Sequence, residues 1–164
     1  MKCFARLVLA VFVAGCSSST EAKNPGDLDG TWSEVTEGLA PSSTSDDALA
    51  GYANDNPASV WELTLSNGAG TLTLTDNSTP AAPCVVSRSV SIVANDDGSG
   101  STTEGDPGTL VRSSADDCAG DVGFNFFGKG TSTLLRVSRT GIHLVLMSSR
   151  ATSDRFTFIV YAKK

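Results

Sequence analysis

The chain has 164 residues, of which 40% are hydrophobic and 18% are charged, and its formal net charge is −6. This length allows one domain with a modest core, and an acidic chain without a basic stripe argues against binding to nucleic acid. Aromatic residues make up only 7% while glycine, serine and threonine are abundant, which is typical of an all-β domain with many turns.

The first element is a short apolar segment that follows two basic residues. Lys2 and Arg6 precede the apolar run over residues 7–14. This run is too short to cross a bilayer, which takes about 20 residues, but it has the features of a signal peptide. The polar stretch SSSTEAKNPGD follows without apolar periodicity, and it predicts a flexible tether over residues 16–27. Residues 28–164 are then expected to form a single domain.

The cleavage zone Val13-Ala14-Gly15-Cys16 resembles the lipobox of bacterial lipoproteins. The resemblance implies that signal peptidase II removes residues 1–15 and that Cys16 carries diacylglycerol and a further acyl chain such as palmitate. Such chains anchor stably because each buried CH₂ contributes about 0.8 kcal/mol. The family's sorting rule, with Ser17 in place of Asp after the cysteine, implies the outer membrane if the source is Gram-negative. The alternative is an ordinary secretory signal with a chance cysteine.

The predicted signal peptide and lipid attachment leave two of the four cysteines in the folded domain. Cys3 departs with the signal peptide and Cys16 is lipidated, so Cys84 and Cys118 remain in an oxidising compartment. We predict a Cys84–Cys118 disulfide, which the chain-entropy model values at roughly 3 to 4 kcal/mol. A metal pair is the alternative, and the absence of a CxxC spacing argues against it.

The first predicted strand of the domain is GTWSEVTE, and a long polar connection over residues 40–58 follows it. Within this connection SDDALAGY predicts a helix of one or two turns with Ser45 as its N-cap. The next signal is VWELTLSNGAGTLTLT, where Asn67-Gly68 predicts a tight hairpin turn. That turn sets a register, with three cross-strand pairs expected on one apolar face: Leu65–Gly70, Leu63–Leu72 and Trp61–Leu74.

Further strands are predicted in CVVSRSVSIVA, VGFNFF, TLLRVSRTGIHLVLMSS and DRFTFIVYAKK. A soft loop is expected over residues 96–108, and a hairpin with Thr140-Gly141 at its turn pairs Val137 with Leu144 and Leu135 with Leu146. No long stretch has helical periodicity. The sequence therefore predicts an all-β fold, an antiparallel up-and-down β-barrel of about 8–10 strands, with a β-sandwich as the alternative.

The start of the domain, LDGTWSE, resembles the first strand of a lipocalin-type barrel, with Gly30-Thr31-Trp32 in place of the Gly-x-Trp motif. The resemblance implies that Trp32 closes one end of the barrel beneath a basic residue of the last strand, either Arg155 or Lys163. It also implies that the connection over residues 40–58 acts as a lid. The alternative is that Trp32 is an ordinary core residue of a β-sandwich.

Several polar residues are candidates for a site. Arg88 shares a strand face with apolar residues. Either it pairs with an anionic ligand inside the barrel, or it is turned to solvent by a β-bulge or lies at an end of the barrel, and this second interpretation is favoured. Asn95, Asp97, Ser99 and Asp106 have something of the spacing of a calcium loop. A solvated hairpin loop is the favoured interpretation of these four, because no helices flank them.

Catalytic motifs are weaker still. The single histidine, His143, falls on the outer face of its predicted hairpin, which leaves no Ser-His-Asp or Cys-His pair. We therefore expect no enzyme activity and no cofactor besides the covalent lipid, although hydrolysis by a carboxylate pair stays open. The expected function is a lipid-anchored envelope protein that binds a small apolar or amphipathic ligand inside the barrel, with Arg88, Trp32 and Trp61 as candidate contacts. The alternative is a non-enzymatic lipoprotein that contacts another envelope protein.

Overall fold

The computed structural model describes residues 25–55, 57–77, 83–112 and 130–164, and these form a closed antiparallel barrel. The strands are β1 (Gly30–Ala40), β2 (Ser59–Ser66), β3 (Ala69–Asp76), β4 (Cys84–Ala94), β5 (Gly100–Arg112), β6 (Gly130–Thr140), β7 (His143–Thr152) and β8 (Arg155–Lys163). Each strand pairs with the next in sequence, and β8 returns to pair with β1. The predicted up-and-down barrel is confirmed with eight strands, and the β-sandwich alternative is wrong.

The β2–β3 hairpin follows its sequence pattern throughout. Asn67 and Gly68 form the turn with φ of 52° and 75°, a conformation that both residue types tolerate. The three predicted cross-strand pairs, Trp61–Leu74, Leu63–Leu72 and Leu65–Gly70, are all observed. Their large side chains are buried in the barrel interior, so turn chemistry and alternation together define this part of the wall.

The β6–β7 hairpin differs from its predicted register by two residues. Val137 pairs with Leu146, and the turn residues are Gly141 and Ile142 instead of Thr140 and Gly141. Gly141 has a φ of 58° at the first turn position, where a β-branched threonine would be strained. A shift of two residues keeps the same faces, so alternation alone does not distinguish the two registers. A bulge between Leu134 and Arg136 also turns Leu135 outwards, contrary to its predicted inward position.

Strand β5 replaces most of the soft loop expected over residues 96–108. The loop is confined to residues 95–99, and the strand begins at Gly100. Glycine allows β5 to lie close to β4 here, since a Cβ at Gly100 would lie 2.2 Å from the carbonyl oxygen of Val93. A Cβ at Gly105 would lie 2.1 Å from Ser89 Oγ. The glycines that suggested a loop therefore belong to a tightly paired strand.

A short helix, α1 (Asp46–Ala50), confirms the predicted turn of helix, and the Ser45 side chain accepts a hydrogen bond from Ala48 N at 3.3 Å. The connection that contains α1 is not a lid over the barrel, however. Leu49 is fully buried in a second apolar core on the outer wall, whose other fully buried members are Ala40, Val145, Met147, Phe158 and Val160. These side chains alternate with inward ones along β7 and β8, so both faces of the two strands are buried and the connection covers their outer side.

Candidate functional site

Trp32 closes one end of the barrel. Its side chain is fully buried, and its Nε1 donates to the carbonyl oxygen of Leu28 at 2.7 Å, in a 3-10 helix over Pro25–Leu28. Lys163 Nζ lies 5.5 Å and Arg139 Cζ 5.7 Å from the centre of the ring, within reach of a cation–π interaction. Of the two basic residues that the resemblance offered, Lys163 takes the expected place. Arg155 lies at the opposite end, where it donates to the carbonyl oxygen of Leu39.

We call the end with Trp32 the closed end and the opposite end, where β1 finishes at Ala40, the far end. The closed end carries the β2–β3, β4–β5 and β6–β7 turns, because the strands alternate in direction. The far end carries the connection over residues 41–58 and the turn between β7 and β8. Trp32 and the 3-10 helix occupy the closed end.

Large side chains of the described residues pack together in the barrel interior. This interior core consists of Leu28, Trp32, Trp61, Leu63, Leu65, Leu72, Leu74, Val90, Ile92, Leu134, Val137, Leu144, Leu146, Ile159 and Tyr161. Each of these side chains is at most 4% exposed. Trp32 and Trp61, both candidate ligand contacts, are part of this packing. An eight-stranded barrel is narrow enough for its own side chains to occupy it in this way.

Arg88 points into the barrel and pairs with Glu104. Its Nη1 lies 3.2 Å from Glu104 Oε2, and the two side chains are 3% and 0% exposed. Both forms of the favoured prediction are wrong, because Arg88 is buried and lies near the middle of β4. The register does shift on both sides of Arg88, but the extra residues are on β5, where Arg88 faces Pro107 and Val90 faces Glu104. Glu104 faces the inward Val90 just before these extra residues, and its carboxylate meets the inward guanidinium of Arg88.

Three carboxylates act on the hydroxyl of Tyr161 inside the barrel. Burial raises the pKa of Tyr161 well above its ordinary value of 10.0, and the negative charges of Glu34, Glu37 and Glu104 add to this effect. Glu34 pairs with Tyr161 across β1 and β8, and Glu37 pairs with Ile159, so both share the inward face of β1. We call Glu34, Glu37, Arg88, Glu104 and Tyr161 the polar group.

Only Arg88 of this group was predicted from the sequence, and Glu34 is one of the four members that were missed. It lies where β1 separates from β2, because pairing between the two strands ends at Ser33 and a bulge follows in β1. Its carboxylate accepts from Trp61 N and from Asn54 Nδ2, both at 2.8 Å, and so joins β1 to β2 and to the connection between them. Burial and the nearby charge of Glu37 raise the pKa of Glu34 to about 7, against the opposing effect of the two hydrogen bonds.

A pocket opens at the far end beside this separation. Its volume is about 220 Å³, and it is lined by Glu37, Gly38, Leu39, Asp55 and Thr157. The backbone N of Asp55 donates to the carbonyl oxygen of Glu37 at 3.1 Å, which holds the connection against β1. The pocket therefore presents two carboxylates and an apolar wall, next to the polar group inside the barrel.

The calcium-loop candidates do not converge. Asn95, Asp97 and Ser99 form the tight β4–β5 turn, in which Asp97 Oδ1 accepts from Ser99 N at 2.9 Å and from Ser99 Oγ at 2.6 Å. Asp106 lies seven residues beyond Ser99 in extended β5, roughly 20 Å away along the strand. Across the described ranges, no group of three or more His, Cys, Asp or Glu side chains is arranged to hold a metal ion.

The cysteine predictions fall largely outside the described residues. Cys84 begins β4 and is 4% exposed. Cys118 and Cys16 lie outside the described residues, as do residues 122–127 of the predicted VGFNFF strand, so the disulfide and the lipid attachment stay predictions. His143 is half-buried at the start of β7.

Comparison with protein-family models, with curated proteins and with solved structures gave no match. Neither of the helices in the described part of the chain is long and apolar enough to cross a membrane. What the structure defines is thus an eight-stranded antiparallel up-and-down barrel with a closed end, a packed interior core and a polar group, an architecture consistent with lipocalin-like ligand binding.

Proposed function

We propose that this protein is a lipid-anchored envelope lipoprotein that binds a small amphipathic ligand at the far end of a lipocalin-like barrel, without catalysis. The observation that carries the proposal is the pocket lined by Glu37, Gly38, Leu39, Asp55 and Thr157. A ligand deep in the barrel is not part of the proposal, because the interior core occupies that space. The lipobox resemblance at Cys16 supports the anchor and, with Ser17, the outer membrane of a Gram-negative envelope.

The charges of the pocket favour a ligand with a cationic or hydrogen-bond-donating group. Glu37 and Asp55 line it, and Glu34 lies close enough to Glu37 to raise the Glu34 pKa. Arg88 was a candidate to bind an anionic ligand, but its guanidinium already pairs with Glu104. A cation near Glu37 and Asp55 would relieve the repulsion among these carboxylates, whereas an anion would increase it. The apolar part of the ligand would contact Leu39.

Binding of three matched amphiphiles to the purified full-length protein tests this proposal. Dodecylamine, dodecanol and dodecanoate share a chain and differ in headgroup, and isothermal titration calorimetry gives their affinities. The amine is expected to bind most tightly, and E37Q with D55N to weaken it about tenfold or more. D47N on the exposed start of α1 is the matched control and should leave binding unchanged. Equal affinity for the three amphiphiles, or preference for dodecanoate, would contradict the proposal.

The packed interior favours a second function, a lipoprotein that contacts another envelope protein through its outer surface. Native mass spectrometry of the full-length protein purified from its own membranes separates the two functions. A stoichiometric small-molecule adduct supports ligand binding. A mass that corresponds to the lipidated chain alone, together with one recurrent protein partner after cross-linking in cells, supports the second function instead.

A further inference from the structure

The N-terminal side of the domain is fastened to the closed end of the barrel. The carbonyl oxygen of Asp27 accepts from Arg139 Nη1 at 2.8 Å, and that of Leu28 accepts from Trp32 Nε1 at 2.7 Å. Asp29 Oδ1 in turn accepts from Asn67 N, in the β2–β3 turn, at 2.6 Å. Three separate parts of the closed end therefore hold this segment, and the chain that leads back to Cys16 leaves the barrel there.

The length of that chain limits how the barrel can sit on a membrane. Eight residues separate Cys16 from Pro25, and even when fully extended the nine Cα–Cα steps between the two span only about 30 Å. The eleven residues of β1 extend about 35 Å, which a strand tilt of roughly 40° reduces to about 25 Å along the barrel axis. To bring the far end to the bilayer, the connecting chain would have to run nearly straight along the whole barrel. Full extension is entropically costly, whereas contact through the closed end requires none.

The closed end also carries an exposed apolar residue suited to a lipid surface. Ile142 is 64% exposed at the tip of the β6–β7 turn, the largest exposure among the described large apolar side chains. Its carbonyl oxygen accepts from Lys163 N at 2.9 Å, and Arg139 and His143 flank the same turn. Acidic side chains such as Asp27, Asp29 and Asp96 also lie at this end. Contact with the bilayer is therefore favoured by the attachment point and by Ile142, and not by the charge of this end.

We propose that the closed end faces the bilayer, with the Gly141-Ile142 turn touching the lipid headgroups and the far-end pocket directed away from the membrane. This orientation rests on lipid attachment at Cys16, which is part of the proposed function. It has a consequence for exchange: a ligand reaches the pocket from the aqueous phase and not by lateral diffusion out of the bilayer that anchors the protein.

Depth-dependent quenching on vesicles tests the orientation. The mature lipidated protein is placed in vesicles of phosphatidylethanolamine and phosphatidylglycerol in a ratio of about three to one, a composition chosen to present an anionic surface. A bimane label on I142C reports the closed end, and one on T152C, an exposed position in β7, reports the far end. A lipid with a headgroup-level spin label is expected to quench I142C at least threefold more than T152C. Wild-type protein carried through the same reaction measures labelling of the native cysteines.

The controls keep the orientation separate from the lipid anchor. Mass spectrometry first determines whether Cys16 is lipidated; if it is not, the anchor part of the proposed function is wrong, and a maleimide lipid coupled to Cys16 of the mature chain restores the test of orientation. Insertion of about twenty Gly and Ser residues between Cys16 and Pro25 should reduce the difference between the two labels. Equal quenching in the native-length protein, or stronger quenching at T152C, would overturn the inference.

Discussion

The interior core and the polar group occupy the same barrel but are built on different principles. The interior core is apolar, closes on Trp32 and needs only shape complementarity. The polar group combines the buried Arg88–Glu104 ion pair with the half-buried Glu34 and Glu37, and the charges of its carboxylates act on the buried hydroxyl of Tyr161. The interior core therefore stabilises the barrel, whereas the polar group contains charges whose burial is destabilising.

Removal of Trp32 tests the contribution of the interior core to stability, and it should have the largest effect. Trp32→Ala leaves a large cavity beneath Lys163 and Arg139, and we expect a loss of about 3 to 5 kcal/mol in the free energy of unfolding. Urea unfolding followed by circular dichroism measures it. Val93→Ala, at a side chain that is 50% exposed, is the control and should change stability little. A loss below about 1 kcal/mol in the free energy of unfolding for Trp32→Ala would show that packing at the closed end contributes little to stability.

The Arg88–Glu104 pair offers a sharper test from the side of the polar group. Arg88→Met leaves the Glu104 carboxylate buried without its guanidinium partner. We expect the free energy of unfolding to fall by about 3 kcal/mol. The double variant Arg88→Met with Glu104→Met should recover most of this loss, because it removes both charges. Denaturant unfolding of the four proteins gives the coupling energy. Additive losses would mean that the two side chains do not act as a pair.

The smallest expected effect is the pH dependence that Glu34 introduces. Its folded pKa of about 7 lies above the ordinary value of 4.5, so between these pH values the folded state binds more protons than the unfolded state. Stability should therefore fall as pH rises from about 5 to 7.5, by about 1 to 2 kcal/mol once solvent screening of this partly exposed group is allowed for.

The matched variants for this test are Glu34→Gln and Glu62→Gln. Glu34→Gln should flatten the profile and be more stable than wild type at pH 8, since it keeps an acceptor for Trp61 N without the charge. Glu62 is a partly exposed β2 carboxylate paired with Lys164, and its replacement should keep the slope. An unchanged slope in Glu34→Gln would place the titrating group elsewhere.

The interior core was largely predictable from the sequence, and the polar group was not. Trp61, Leu63 and Leu74 alternate with polar residues around an Asn-Gly turn, so local rules determine their face and their pairing. The predicted β6–β7 register was wrong by two residues, because a shift of two residues leaves the alternation of inward and outward side chains unchanged. Only the requirement for glycine at a positive φ distinguishes the alternatives.

The polar group depends on bulges, which local pattern does not reveal. The extra residues in β5 shift the register on both sides of Arg88, and Glu34 accepts its hydrogen bonds where pairing with β2 has ended and a bulge in β1 begins. The lid prediction failed for a related reason. Phe158 on the outer side and Ile159 on the inner side of β8 are both buried, and the sequence alone does not say that the outer side of β7 and β8 is covered by Leu49.

The pairing of β8 with β1 has a consequence for how the protein matures. Trp32 lies opposite Lys163, so the seam that closes the barrel joins the first strand to the last. Until β8 pairs with it, β1 keeps an unpaired edge that can bind other extended chains. Closure of this seam also joins segments far apart in sequence, which slows folding. The protein is therefore most vulnerable to aggregation, and most in need of a chaperone, in the interval before its final strand arrives.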